Sequence, residues 1–139
     1  MAVGFKIDFL CYQVGHGDFL HSFFSSTSYH LEPDGWGIKY PYLLTKLYQG
    51  KLRWEDAPKA LEDVKNIQFL LKQYNPDQVI WDIDDLSKQP PWKDNISSEI
   101  TNLSNYFVAS DGRDLFEVLQ MALQDSIDEK IDLEITSGV

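Results

Sequence analysis

Residues 79–86 read Val-Ile-Trp-Asp-Ile-Asp-Asp-Leu, an apolar run that ends in three carboxylates. On an extended strand alternate side chains share a side, so Asp82 and Asp84 would point the same way. A pair of carboxylates at the end of an apolar strand is one way to offer a nucleophile and an acid/base to a Mg²⁺-bound phosphate. The same residues have a second use. Trp81, the rigid Pro90-Pro91 step and Trp92 place large aromatics beside Asp82, Asp84, Asp85 and Asp94. Aromatic anchors next to charge are what a protein-binding surface presents. A plain structural use also exists, with Val79, Trp81 and Ile83 in the core and Asp82 and Asp84 in solvent.

The elements that must position these residues follow from periodicity. Residues 3–14 alternate as a strand, with Phe5, Ile7, Phe9 and Cys11 on one face. Gly15-His16-Gly17-Asp18 breaks that strand. Residues 19–31 are ambiguous: Phe19, Phe23 and Phe24 have helical spacing, while Ser25-Ser26-Thr27-Ser28 is a poor helix. Residues 32–37 are a turn punctuated by Pro33, Gly35 and Gly37, with Trp36 between the two glycines. A short helix over 42–48 stops at Gly50.

The clearest helix spans 55–74, with an apolar stripe of Ala57, Leu61, Val64, Ile67 and Leu71 and with Pro58 in its first turn. A strand over 78–83, a long loop over 86–97, a helical turn at 98–103 and a short strand at 106–108 are predicted next. Ser110 is the expected cap of a helix running to about Ser126. Ile131, Leu133 and Ile135 alternate with Asp132 and Glu134 as a half-exposed final strand. Together these predict one α+β domain over 1–139, with a small mixed or antiparallel sheet and about three helices packed on it.

Composition narrows the function. Formal net charge is −10 in 139 residues. The imbalance grows along the chain, from −1 over residues 1–50 through −3 over 51–110 to −6 over 111–139. So acidic a chain repels nucleic acid and anionic lipid and attracts basic proteins. Cys11 is the single cysteine, which excludes an intrachain disulfide and a multi-cysteine zinc site. The first residues lack the features of a signal peptide, and no run approaches the ~20 apolar residues of a membrane span. A cytoplasmic location is expected.

The strand-end carboxylates resemble the motif of haloacid-dehalogenase-type phosphatases over residues 79–86. That family continues with threonine where Leu86 stands, and its motif opens a domain, whereas only 54 residues follow Asp85. Those residues supply no second strand-end Ser/Thr, suitably placed lysine or later acidic pair. His16, His21 and His30 match no common metal-ligand spacing, and neither a Gly-x-Ser-x-Gly elbow nor a phosphate-binding glycine loop is present. The balance favours binding over catalysis, with no cofactor and no metal.

Four segments carry a broader likeness: Gly35-Trp36-Gly37-Ile38-Lys39-Tyr40-Pro41, Leu47-Tyr48-Gln49-Gly50-Lys51-Leu52, the stretch from Trp81 to Trp92, and Ser110-Asp111-Gly112-Arg113-Asp114-Leu115-Phe116. In this joint order the chain resembles the bacterial immunity protein 70 family, from about Phe5 to Leu123. The resemblance implies a cytoplasmic antidote of a polymorphic toxin system, which binds a cognate toxin domain stoichiometrically and brings no catalytic residues. From the residues themselves, Trp36, Trp81, Asp82, Asp84, Asp85, Trp92 and Asp94 are the expected contact surface. Asp125, Asp128, Glu129, Asp132 and Glu134 form a competing one. A small acidic adaptor and a Mg²⁺-dependent phosphotransfer enzyme are the alternatives. A monomer is the default, with a dimer available through an exposed edge at 131–136.

Overall fold

The computed structural model describes residues 2–93 and 95–137. Its sheet starts from a hairpin in which β1 (Ala2–Ile7) pairs antiparallel with β2 (Leu10–His16). Two residues turn the hairpin, and Asp8 adopts the left-handed conformation at φ 56°. The turn cuts the long strand expected over 3–14. Phe5 and Ile7 keep the core face, but Phe9 lies at the hairpin tip and is 96% exposed. Cys11 pairs with Lys6 and is also exposed.

Strand order is β2-β1-β4-β3, antiparallel throughout, with β3 (Lys51–Leu52) and β4 (Leu133–Ser137). The last strand is therefore central. It pairs with β1 on one side and with β3 on the other, and the Ile135 amide donates to the Gly50 carbonyl at 2.9 Å. The expectation of an exposed edge at 131–136 is corrected on this point: the sheet's open edges belong to β2 and β3.

Three helices have fifteen residues each, α1 (Gly17–Leu31), α2 (Ala57–Leu71) and α3 (Leu115–Glu129); α2 packs chiefly on α3, while α1 and α3 lie on the sheet. They cover the face that carries Phe5, Ile7, Leu52 and Leu133, while Lys6, Cys11, Lys51 and Glu134 face water. Such one-sided burial is usual for an antiparallel sheet. Phe23 sits at the centre of the core, its ring 5.1–5.5 Å from those of Phe24, Phe107 and Phe116 in edge-to-face contact. Together these elements make an α+β domain, as the pattern predicts.

Several local expectations shift. Tyr42–Leu47 is helical, but with π-type turns. Residues 98–103 form turns, and the strand at 106–108 reduces to one bridge from Val108 to Asp114. The helix expected from Ser110 begins at Leu115 and runs to Glu129, capped by the Asp114 carboxylate, which accepts from the Phe116 amide at 2.8 Å. Residues 109–113 are folded into a tight loop instead. The Ala109 amide donates to the Arg113 carbonyl, the Asp111 carboxylate pairs with Arg113, and Gly112 takes φ 89°. No helix of the described residues is long and apolar enough to cross a membrane.

Candidate functional site

Helix α1 explains the site. Its first turn is capped by His16, whose Nδ1 accepts from the Asp18 amide at 3.2 Å. Phe19, Leu20, Phe23, Phe24 and Leu31 enter the core, and the serines that look unhelical in sequence are buried too: Ser22 and Ser25 at 0%, and Ser26 at 0%. They lie under the segment that follows Gln78. Ser22 Oγ donates to the Ile80 carbonyl at 2.8 Å, Ser26 Oγ accepts from the Ile80 amide at 3.0 Å, and Ser25 Oγ accepts from the Ile83 amide at 3.2 Å.

The strand predicted over 78–83 is thus not formed. Its backbone groups need partners like any others, and helical hydroxyls supply them where a sheet ladder would have. After a short 3₁₀ turn at Pro76–Gln78 the chain runs as a strap across α1. The strand-end presentation behind the phosphoryl-transfer reading goes with the strand.

The strap turns at Asp82. Its Oδ1 accepts from the Asp84 amide at 2.9 Å and lies 3.1 Å from His21 Nε2, while Oδ2 lies 3.4 Å from Lys88 Nζ. The Asp84 amide first, then His21, and also Lys88, hold this carboxyl below the usual carboxylate range. On its other side the His21 ring is 3.0 Å, through Nδ1, from the Tyr48 hydroxyl. Burial first, then the charges of Asp84 and Asp82, push the Tyr48 hydroxyl up. Trp36 completes this wall. Its indole donates to the Leu44 carbonyl at 2.7 Å, and its ring packs edge-on against Tyr48 and roughly parallel to His21. His21, Trp36, Tyr48, Ile83 and Asp84 line a cleft of about 240 Å³.

Of the expected surface, Trp36, Asp82 and Asp84 come together here. Asp85 lies one turn further on, exposed, its carboxyl lowered by the hydroxyl and amide of Ser87. Trp81 and Trp92 form a second cluster, edge-to-face at 5.4 Å, with the Trp92 indole donating to the Tyr106 hydroxyl at 2.8 Å. Both are half-buried, so they lid the core and show only part of each ring. Asp94 lies outside the described residues.

His21, Tyr48 and Lys88 are site residues that sequence reasoning misses. A usable signal was there: Ser22, Ser25 and Ser26 at i, i+3 and i+4 between buried phenylalanines mark a helix face covered by something that needs hydrogen bonds. His21, Asp82 and Asp84 each offer a ligand atom within 4.8 Å of the others, the one such group with metal-binding potential among the described residues.

The competing acidic surface is partly engaged. Asp125 accepts the Tyr12 hydroxyl, and Asp132 accepts the Trp54 amide and pairs with Lys51. Asp128, Glu129 and Glu134 remain exposed.

What the fold and site define is a small acidic α+β domain with a strapped helix and a polar, aromatic-walled cleft. The family model for immunity protein 70 matches residues 5–135, and the chain belongs to that family. No curated protein and no solved structure matches the chain significantly.

Proposed function

We propose that the chain is a non-catalytic, monomeric antidote that works in the cytoplasm by binding and neutralising a cognate bacterial toxin domain. The observation that carries this reading is the family match over nearly the whole chain. The proposed contact surface is the exposed side of the strap, with Asp84 and Asp85 leading, Asp82 anchored behind them, and Trp36, Trp81 and Trp92 supplying the apolar rim. Asp94, which lies outside the described residues, is proposed as a contact on sequence grounds alone. The charge of −10 suits a toxin with a basic cleft, as a nuclease needs.

The test is whether the adjoining gene encodes a toxin-like domain and whether this chain rescues cells that express it. The native chain is expected to protect, and failure to protect removes the antidote reading. Asp84→Lys with Asp85→Lys is expected to weaken toxin binding by about 10-fold or more at low salt, chiefly through slower association. Asp82 is unsuitable as a first probe, because its carboxylate holds the strap together.

A second contact surface is favoured by one observation. Phe9, 96% exposed at the hairpin tip, stands with Ile7, Leu10 and Ile131 beside Asp125 and Glu129. Exposed apolar groups rimmed by charge are typical of interaction sites. Loss of toxin binding in Phe9→Ser, with Asp84→Lys/Asp85→Lys unaffected, would move the interface to that end of the sheet.

A further inference from the structure

We infer that His21, Asp82 and Asp84 form a site for one divalent transition-metal ion, with Zn²⁺ the ion their chemistry fits. The three donors come from two segments far apart in the chain, and their ligand atoms all lie within 4.8 Å of one another. Zinc bound at about 2.0–2.2 Å from nitrogen and oxygen donors brings those donors somewhat closer together than this. The contraction falls on Asp84, whose side chain is exposed. The other two are held in place. The side chains of His21 and Asp82 are 23% and 18% exposed, and the serine staples fix the strap to α1.

Tyr48, from a third segment, gives this group the character of a ligand set and sets it apart from a cluster of acids. Metal-binding imidazoles normally hold a partner on their second nitrogen, which fixes the ring and its tautomer. His21 has that partner in the Tyr48 hydroxyl, 3.0 Å from Nδ1. A tyrosine hydroxyl both donates and accepts. It therefore serves His21 with Nε2–H directed at Asp82, and equally with Nδ1–H once a metal takes the Nε2 lone pair. Lys88, 3.4 Å from Asp82 Oδ2 and 57% exposed, provides the positive charge beside the two carboxylates. Its long stem can swing into solvent when an ion arrives.

The adjoining cleft of about 240 Å³ leaves room for water on the remaining coordination positions. The imidazole donor favours zinc over Mg²⁺ or Ca²⁺, which prefer oxygen ligands throughout. This inference is independent of the toxin: it concerns the chain alone, so its failure leaves the antidote reading standing, and the reverse.

The experiment is calorimetric titration of the isolated, chelator-treated chain with Zn²⁺ and, separately, with Mg²⁺, alongside imidazole ¹⁵N spectra. One equivalent of Zn²⁺ is expected to bind, with the His21 Nε2 signal shifting on saturation and Mg²⁺ binding far more weakly. Asp84→Asn and His21→Gln should each weaken Zn²⁺ binding by at least about tenfold. His16→Gln should leave it unchanged, although His16 also sits near a carboxylate, that of Asp18. Three outcomes would overturn the inference: no saturable Zn²⁺ binding by the native chain, binding undiminished in both Asp84→Asn and His21→Gln, or binding lost with His16. A His21 that is only an ion-pair partner of Asp82 produces the first.

Discussion

Glu32 shows how much one buried side chain can organise. It is 4% exposed, and its two oxygens accept from the amides of Gly37, Lys39 and Tyr40 at 2.9–3.0 Å. Hydrogen bonds to a charged acceptor are stronger than neutral ones. Glu32→Gln keeps the size but turns one oxygen into an NH₂ that faces amide donors. The expected loss is about 2 kcal/mol or more, read from urea unfolding. Tyr12 offers a pH test. Its hydroxyl donates to Asp125, and that bond, aided by burial and the Asp125 charge, pushes the hydroxyl up to about 12 against an ordinary 10.0. The folded state thus holds this proton more tightly than the unfolded one. The stability it confers is complete below pH 10 and disappears as pH rises through about 12. Tyr12→Phe should therefore be less stable than the native chain at pH 8, with the gap closing above pH 10 in denaturant titrations.

At the scale of elements, the third helix separates what sequence shows from what contacts decide. Ser110 and Asp114 are both acceptable caps by residue type. The structure chooses Asp114 because residues 109–113 close on themselves, and the Ser110 amide donates to the Val14 carbonyl of β2. Asp114→Ala is expected to cost about 1 kcal/mol, whereas Ser110→Ala should change stability by less than about 0.5 kcal/mol. Thermal unfolding of the two variants decides between the caps. Helix α2 was legible because its stripe and Pro58 agree locally, although it spans Ala57–Leu71 and so is shorter than the expected 55–74. The strap was not. Its Val-Ile-Trp-Asp-Ile alternation is a genuine strand pattern, and only the hydroxyls of Ser22, Ser25 and Ser26, more than fifty positions upstream, show that its ladder partners are side chains. For the same reason Asp82 and Asp84 stood out as candidates in the sequence while His21 and Tyr48 did not. The serines beside His21 signal that something polar covers the helix, but neither they nor the residues around Tyr48 say which segment does so.

For the whole molecule, antiparallel pairing and one-sided burial follow from alternating strands and amphipathic helices, so the fold class was readable. Strand order was not, because β4 reads as a half-exposed strand while its backbone is paired on both sides. That position has a consequence for biosynthesis. Residues 3–6 are paired with 134–137, so the middle of the sheet joins stretches about 130 residues apart in sequence. Contacts of such long sequence separation slow folding. The ribosome must release residues 133–137 before β1 gains its second neighbour, and a nascent chain still lacking them should remain protease-sensitive in a stalled-translation assay. Protection should then appear only once β4 has emerged, so this domain cannot acquire any neutralising capacity before its last strand is made.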